Sequence, residues 1–323
     1  MCVVEWNPLL QARIVKYGGT NVKGVGLQEW ARIGRLSEVQ WGLKRQCRLI
    51  SRKVNAMGIL YRKENHIAYL QLNRPEAKNA LDPATLLEMF NAWEDIRNDP
   101  VVRVAIVSSA VPDIFCAGMD LKTTMPLVMR LKEPETEAEK KVLEHPEIMP
   151  NALLRDYEID KPIVSAIHGY CLTGGWELAM ATDIRIASDD AIFQMREARY
   201  AMMPTAGATV RLPRMIPCGA AMEILLTGNE FTAQQLLQWG FLNRVVPRER
   251  LMPTAEEIAI RIAENGPLAV QAIKRSVREG MGLSLKEALN KEMEIGLPTF
   301  MTEDAREGPR AFREKRKPVY KGR

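Results

Sequence analysis

The run Gly174-Gly175-Trp176-Glu177, inside the stretch GYCLTGGWELAMATDIRIAS at residues 169–188, puts two glycines just ahead of a carboxylate. Glycines let a backbone approach another group closely, and the helix formers that follow predict a turn opening a helix. The first N–H groups of a helix have no partner within it, so they can hold a bound oxygen while Glu177 stands within a turn of it. A purely structural turn has the same local look. The rest of the chain has to decide between them.

Other chemistries find little material. The five cysteines (Cys2, Cys47, Cys116, Cys171, Cys218) are scattered and odd in number with no CxxC pair, which fits a reducing compartment and no zinc site. His66, His145 and His168 are the only histidines, and none stands at metal-ligand spacing from another. They read as structural histidines rather than as members of a Ser/His triad, and no metal is expected.

The 323 residues are 46% hydrophobic and 26% charged, an ordinary globular balance with enough chain for a sizeable core. No run approaches the roughly 18 apolar residues of a membrane span, so a soluble cytoplasmic protein is expected. The net charge of +5 is unevenly spread. Residues 1–56 hold ten Lys/Arg against three acids; removing these from the totals of 45 and 40 leaves 35 basic and 37 acidic residues from Met57 onward. The basic excess belongs to this leader, where no recognition pattern accompanies it, and a nucleic-acid partner loses its support. The leader reads as a disordered extension or as an over-extended reading frame ahead of a start at Met57. Arg-rich and acid-poor, it also has the balance of a mitochondrial transit peptide, but it carries only Ser37 and Ser51.

The elements that must position the glycine turn alternate between short strands and helices. Residues 67–72 alternate like a half-buried strand, Asp82-Pro83 caps a helix, and 102–108 reads as a strand buried on both faces. Residues 122–160 are charged, either a mobile surface excursion or a lid over a pocket. Strands are expected at 162–167 and 184–187, a turn at 228–232, and amphipathic helices at 254–264, 267–278 and 283–295. The expected division is a core at 57–250 and a helical appendage at 251–323.

Five separated pieces then line up in order: LNRPEAKNAL at 72–81, FCAGMDLK at 115–122, the 169–183 segment, PTAGATVRL at 204–212 and LTG at 226–228. Together with the tail around 303–315, the chain resembles the crotonase (enoyl-CoA hydratase/isomerase) superfamily over about residues 57–318. The resemblance implies an α/β fold, a crotonase-like spiral of ββα units with a C-terminal helical trimerisation region, and a homotrimer or dimer of trimers. It implies acyl-CoA substrates and no further cofactor. An enolate-like oxygen would be held by the backbone N–H groups of Met119 and Gly174, with Glu177 and Glu197 as the two catalytic glutamates. It also carries CoA contacts onto Lys78, Ala80, Ala117, Lys122, Phe312 and Lys315.

The implied reaction is enoyl-CoA hydration, or dehydration in reverse. Alternatives are an enoyl-CoA isomerase and a catalytically silent member that binds RNA or a partner. The chain departs from the family where a proline commonly precedes the second glutamate, since Arg196 stands there; a neighbouring cation is expected to lower the Glu197 pKa. Thr173 replaces another common glycine. Trp176 is bulky for its place, which bears on substrate size.

Overall fold

The computed structural model describes residues 4–7, 10–14 and 58–323. β1 (Val4–Asn7) and β2 (Leu10–Ile14) pair as an antiparallel ribbon; the remainder of the 1–56 extension lies outside the described residues. From there the chain runs through β3 (Ile59–Glu64), β4 (Ile67–Leu72), β5 (Ala80–Leu81), α1 (Pro83–Asn98), β6 (Val104–Ser109), β7 (Ile114–Cys116) and β8 (Gly118–Met119). Three short helices follow, α2 (Thr124–Val128), α3 (Glu137–Glu144) and α4 (Ile148–Ala152). Next come β9 (Ile163–Ile167), β10 (Tyr170–Leu172), α5 (Gly174–Met180), β11 (Ile184–Ser188) and β12 (Ile192–Gln194). The last third holds α6 (Ala208–Met215), α7 (Cys218–Thr227), β13 (Glu230–Thr232), α8 (Ala233–Gln238) and β14 (Arg244–Val246), then α9 (Leu251–Ala263), α10 (Pro267–Gly280), α11 (Leu285–Gly296) and α12 (Glu303–Arg313).

Three consecutive strand pairs, β6 with β7, β9 with β10 and β11 with β12, each send the first strand to one sheet and the second to another. The result is a six-stranded sheet ordered β14-β11-β9-β6-β4-β3 and a four-stranded sheet ordered β13-β12-β10-β7. Neighbours are parallel except at the edges, where β3 pairs antiparallel with β4 and β13 with β12. This is the expected spiral: each turn of chain adds one strand to each sheet, so corresponding loops stack at one end.

The large sheet is covered on both faces. Ala68, Leu70, Ala105 and Val107 face the main core, while Ile67, Tyr69, Val104 and Ile106 face the other way onto Leu251, Ala255, Ala259 and Ala263 of α9. β4 is therefore buried on both faces rather than half-buried, and α9 is part of the core, so residue 250 does not separate core from appendage. The small residues on one face of α9 let it lie close on the strands. Beyond it, α10, α11 and α12 and the 3-10 turn at Leu297–Met301 between the last two leave large apolar side chains in the open, among them Ile273, Val277, Leu285, Phe300 and Phe312.

Residues 122–160 are not one loose excursion. α3 starts in a capping box between Thr136 and Glu139. Trp93 of α1 donates its indole N–H to Ala152 O at 3.0 Å, and Leu153, Leu154 and Ile159 are in the core. The 228–232 stretch also differs from expectation: after Gly228 it forms β13 and closes the small sheet. Among the described residues no helix is long and apolar enough to cross a membrane.

Asp82 caps α1 by accepting the Thr85 N–H at 2.8 Å, and α1 carries Leu86, Met89, Trp93 and Ile96 into the core. Replacing an N-cap acid removes about 1 kcal/mol. Asp82→Ala is expected to lower the thermal midpoint by roughly 2–4 °C; an unchanged melt would show that the cap is dispensable.

Candidate active site

A cavity of about 740 Å³ opens where the chain leaves β8, β10 and β12. Its walls bring together Lys78, Ala80, Ala117, Met119, Lys122, Gly174, Glu177 and Glu197. Phe312 and Lys315 are not brought there. Phe312 is 85% exposed on α12, and Lys315 follows it on the same exposed tail. Within one chain these two residues do not join the cavity.

The wall formed by Lys78 and Ala80 is held by residues not singled out in the sequence. Asn79 is buried, its side-chain amide donating to Ser109 Oγ at 2.8 Å and to Phe115 O at 2.9 Å while its Oδ1 accepts the Arg74 N–H at 2.8 Å. Arg74 donates to Ala80 O at 2.9 Å and to Asp120 Oδ2 at 2.6 Å. β5 and β8 then pair, Ala80 beside Gly118 and Leu81 beside Met119. The 74–80 and 117–122 loops are thus one unit, with the Met119 amide at its inner edge. The signal for Arg74 and Asn79 is present in LNRPEAKNAL, but the partners Ser109, Phe115 and Asp120 are 30 to 46 residues away in sequence.

Opposite this unit lies the glycine turn. Gly174 opens α5, so its N–H has no acceptor within the helix. A Cβ added at Gly174 would stand 3.7 Å from Met119 N and 3.8 Å from Gly118 Cα, so the two backbones run close together. Gly175 serves packing instead. A Cβ there would come within 2.5 Å of Cys116 Cβ, so its smallness lets α5 rest on β7. Thr173, with φ +48° and ψ −122°, occupies backbone space that suits glycine. It is matched by Gly118, where a Cβ would meet Thr173 Oγ1 at 1.5 Å. Trp176 does not narrow the cavity. It is fully buried between Phe193 and Phe241, with ring centroids 5.3 and 5.7 Å away.

The carboxylates differ in how they are held. Glu177 is 4% exposed, and its Oε1 accepts the N–H groups of Ala206 at 2.8 Å and Ala208 at 3.1 Å. Arg211 braces that loop, donating to Ala206 O at 3.0 Å and Leu154 O at 2.9 Å. Burial raises the Glu177 pKa above the ordinary carboxylate value, and the two amides oppose the rise. Glu197 has a buried Oε2 with no hydrogen-bond partner among the described residues. Burial, and after it the Glu177 charge, pushes Glu197 up to about 7. This reverses the expectation of a lowered pKa. Arg196 does not pair with Glu197; its Nε donates to Gln194 Oε1 and its Nη2 lies 4.0 Å from Glu230.

One cavity therefore has the backbones of Met119 and Gly174 close together on its wall and two carboxyls of raised pKa, the materials for stabilising a developing oxyanion while moving protons nearby. The pattern of the enoyl-CoA hydratase/isomerase family matches residues 62–323. The chain is 39% identical over 264 residues to the enoyl-CoA hydratase EchA19 of Mycobacterium tuberculosis, covering 82% of this chain and 96% of that protein. It is 40% identical over 257 residues to the carnitinyl-CoA dehydratase of Proteus mirabilis, covering 78% and 94%. The solved enoyl-CoA hydratase of Bacillus anthracis superposes with a TM-score of 0.74 at 34% identity, covering 82% of this chain and all of that one. The chain belongs to the enoyl-CoA hydratase/isomerase family, and its fold is the crotonase fold.

A carboxyl whose pKa is raised on folding holds its proton more tightly in the native state. Its contribution to stability is present below the ordinary value of 4.5 and is lost as the pH rises through about 7. Glu197→Gln stays neutral throughout, so the variant is expected to melt above the wild type at pH 8, with the difference closing toward pH 5. A difference in melting temperature independent of pH would contradict the raised pKa.

Proposed function

We propose that the protein is an enoyl-CoA hydratase, adding water across the α,β double bond of an acyl-CoA thioester or removing it in the reverse direction. The observation that carries this reading is the pair of carboxyls, Glu177 and Glu197, on one cavity beside the backbone amides of Met119 and Gly174.

The thioester oxygen sits between the Met119 and Gly174 N–H groups, which take the negative charge as the enolate develops. Preorganised donors of this kind lower a barrier by roughly 3–4 kcal/mol each. Glu177, whose Oε1 is fixed by two amides, accepts a proton from water as it attacks the β-carbon. Glu197, whose pKa is raised to about 7 so that a substantial fraction keeps its proton at neutral pH, delivers a proton to the α-carbon. Atoms balance: one proton leaves water for Glu177, the hydroxyl joins the β-carbon, and the Glu197 proton joins the α-carbon. In the dehydrating direction the roles exchange. No cofactor is needed beyond the CoA of the substrate.

Lys78, Ala80, Ala117 and Lys122 line the same cavity and would hold the CoA portion, the two lysines facing its phosphates. Met119, Met125, Met202 and Met203 also line it, an adaptable apolar wall for the acyl group. The exposed apolar side chains of α10 to α12 support a homotrimer or a dimer of trimers, since faces of this size are normally covered. Any part played by Phe312 and Lys315 in CoA binding then depends on that assembly.

Glu177→Gln and Glu197→Gln are each expected to slow hydration of crotonyl-CoA by roughly a hundredfold to ten-thousandfold, with the thermal melt showing a folded protein. Absence of hydration by the wild type, with migration of the double bond in a 3-enoyl-CoA, would overturn the hydratase reading in favour of isomerisation. Light scattering after gel filtration is expected to give three or six times the mass of the chain, and a monomer would refute the assembly.

A further inference from the structure

An arginine stands directly before Glu197 and yet its guanidinium forms no ion pair with that carboxyl. Arg196 donates its Nε–H to Gln194 Oε1. Gln194 is itself 2% exposed on β12, and its Nε2 donates to Gly228 O at 2.7 Å. On the neighbouring strand, in register with Gln194, Glu230 presents Oε1 4.0 Å from Arg196 Nη2. Arg199, on the other side of Glu197, is drawn the same way, with Nη2 3.3 Å from Asn229 Oδ1 and Nε 3.5 Å from Thr227 O. Both flanking guanidinium groups thus lean on residues 227–230, and Glu197 Oε2 stays buried without a donor among the described residues. The other charged groups on the cavity are Glu177 from α5, Glu76 and Lys78 from the 74–80 loop, Asp120 and Lys122 after β8, and Glu230 from β13.

We propose that Gln194 is a positioning residue: by fixing Arg196 toward the 227–230 turn it keeps the guanidinium off Glu197, so that an arginine can precede the acid without forming an ion pair with it. A guanidinium has the reach and the donors to grip a carboxylate one residue away, and such a pair lowers a carboxyl pKa by roughly one to three units. An acid so paired would be ionised at neutral pH and unable to give its proton. The buried amide of Gln194 offers Arg196 a fixed acceptor instead, and Glu230 offers it a charge. The functional meaning of the clamp rests on Glu197 being the proton donor in the proposed hydration.

The test is the titration of the Glu197 side chain by carboxyl 13C NMR, its resonance assigned by its loss in Glu197→Gln, together with the pH profile of kcat for hydration. Gln194→Leu keeps the volume and removes the acceptor. The Glu197 midpoint is expected to fall by about one pH unit or more, and the basic limb of kcat is expected to fall with it. Adding Arg196→Met to that variant is expected to restore both. Arg196→Met alone is expected to keep the wild-type midpoint.

An unchanged midpoint in Gln194→Leu would overturn the proposal. So would a fall that persists in the double variant, because the strand and not the arginine would then be the cause. Should Gln194→Leu not fold, Gln194→Met, which also lacks the acceptor, takes its place with the same expected fall; and a rise of about one unit or more in Arg196→Met alone would overturn the proposal, because Arg196 would then already act on Glu197. The NMR arm needs no activity. If the midpoints move as expected while Glu197→Gln still hydrates crotonyl-CoA, the clamp stands and the assignment of Glu197 as the acid fails.

Discussion

Much of this structure depends on burying one carboxyl group, that of Glu177, on the wall of the cavity. Glu177 is almost wholly removed from water, and an isolated charge there would be prohibitively costly. The cost is offset by two amides, those of Ala206 and Ala208, whose loop Arg211 ties to the end of the 148–154 segment. That segment in turn is pinned to α1 through Trp93. A chain of contacts thus runs from a core helix to the oxygen of one side chain.

The same economy governs the other side of the cavity. The spiral stacks successive loops at one end of the sheets, so Met119 from the 117–119 loop, Gly174 from the 173–174 turn and Glu197 from the 196–197 turn come from three consecutive turns of chain. No loop has to be long to reach the site. Precision comes from side chains that never touch the substrate: Asn79 and Arg74 align one loop, Gly175 seats α5 on β7, and Gln194 sets the direction of Arg196. Glu197 is the exception, with a buried oxygen left unpartnered among the described residues. A group kept in that state lowers stability and has a proton to give at neutral pH, as expected where function and stability compete.

The parts of the site legible in the sequence are those whose meaning is local or whose order along the chain resembles the family. Gly174 and Glu177 lie within one turn of helix, and the FCAGMDLK and LNRPEAKNAL stretches carry Met119, Lys78 and Ala80. What escapes a sequence reading depends on contacts made across the fold. Trp176 reads as an obstacle to substrate, but two positions after Gly174 a helical side chain points to the opposite side, here into the core. Arg196 reads as a partner for Glu197 because the two are adjacent; its direction is decided by Gln194 and Glu230, and Glu230 belongs to a strand where the sequence indicates only a turn. The helix at 251–263 reads as an appendage because the alanines of its inner face give a weak apolar signal, yet they are what allow it to close the large sheet. Phe312 and Lys315 carry the family pattern, but one copy of the chain leaves them in the open.

The proposed chemistry stands on a geometry: a thioester oxygen is held between two amides while its α- and β-carbons lie between two carboxyls. A crystal structure of the protein with a bound, slowly reacting acyl-CoA such as acetoacetyl-CoA tests it most directly. The thioester oxygen is predicted to lie about 2.7–3.1 Å from both Met119 N and Gly174 N, with the acyl carbons between Glu177 and Glu197. A thioester placed elsewhere in the cavity, or an acyl chain that leaves either carboxyl out of reach of its carbons, would contradict it.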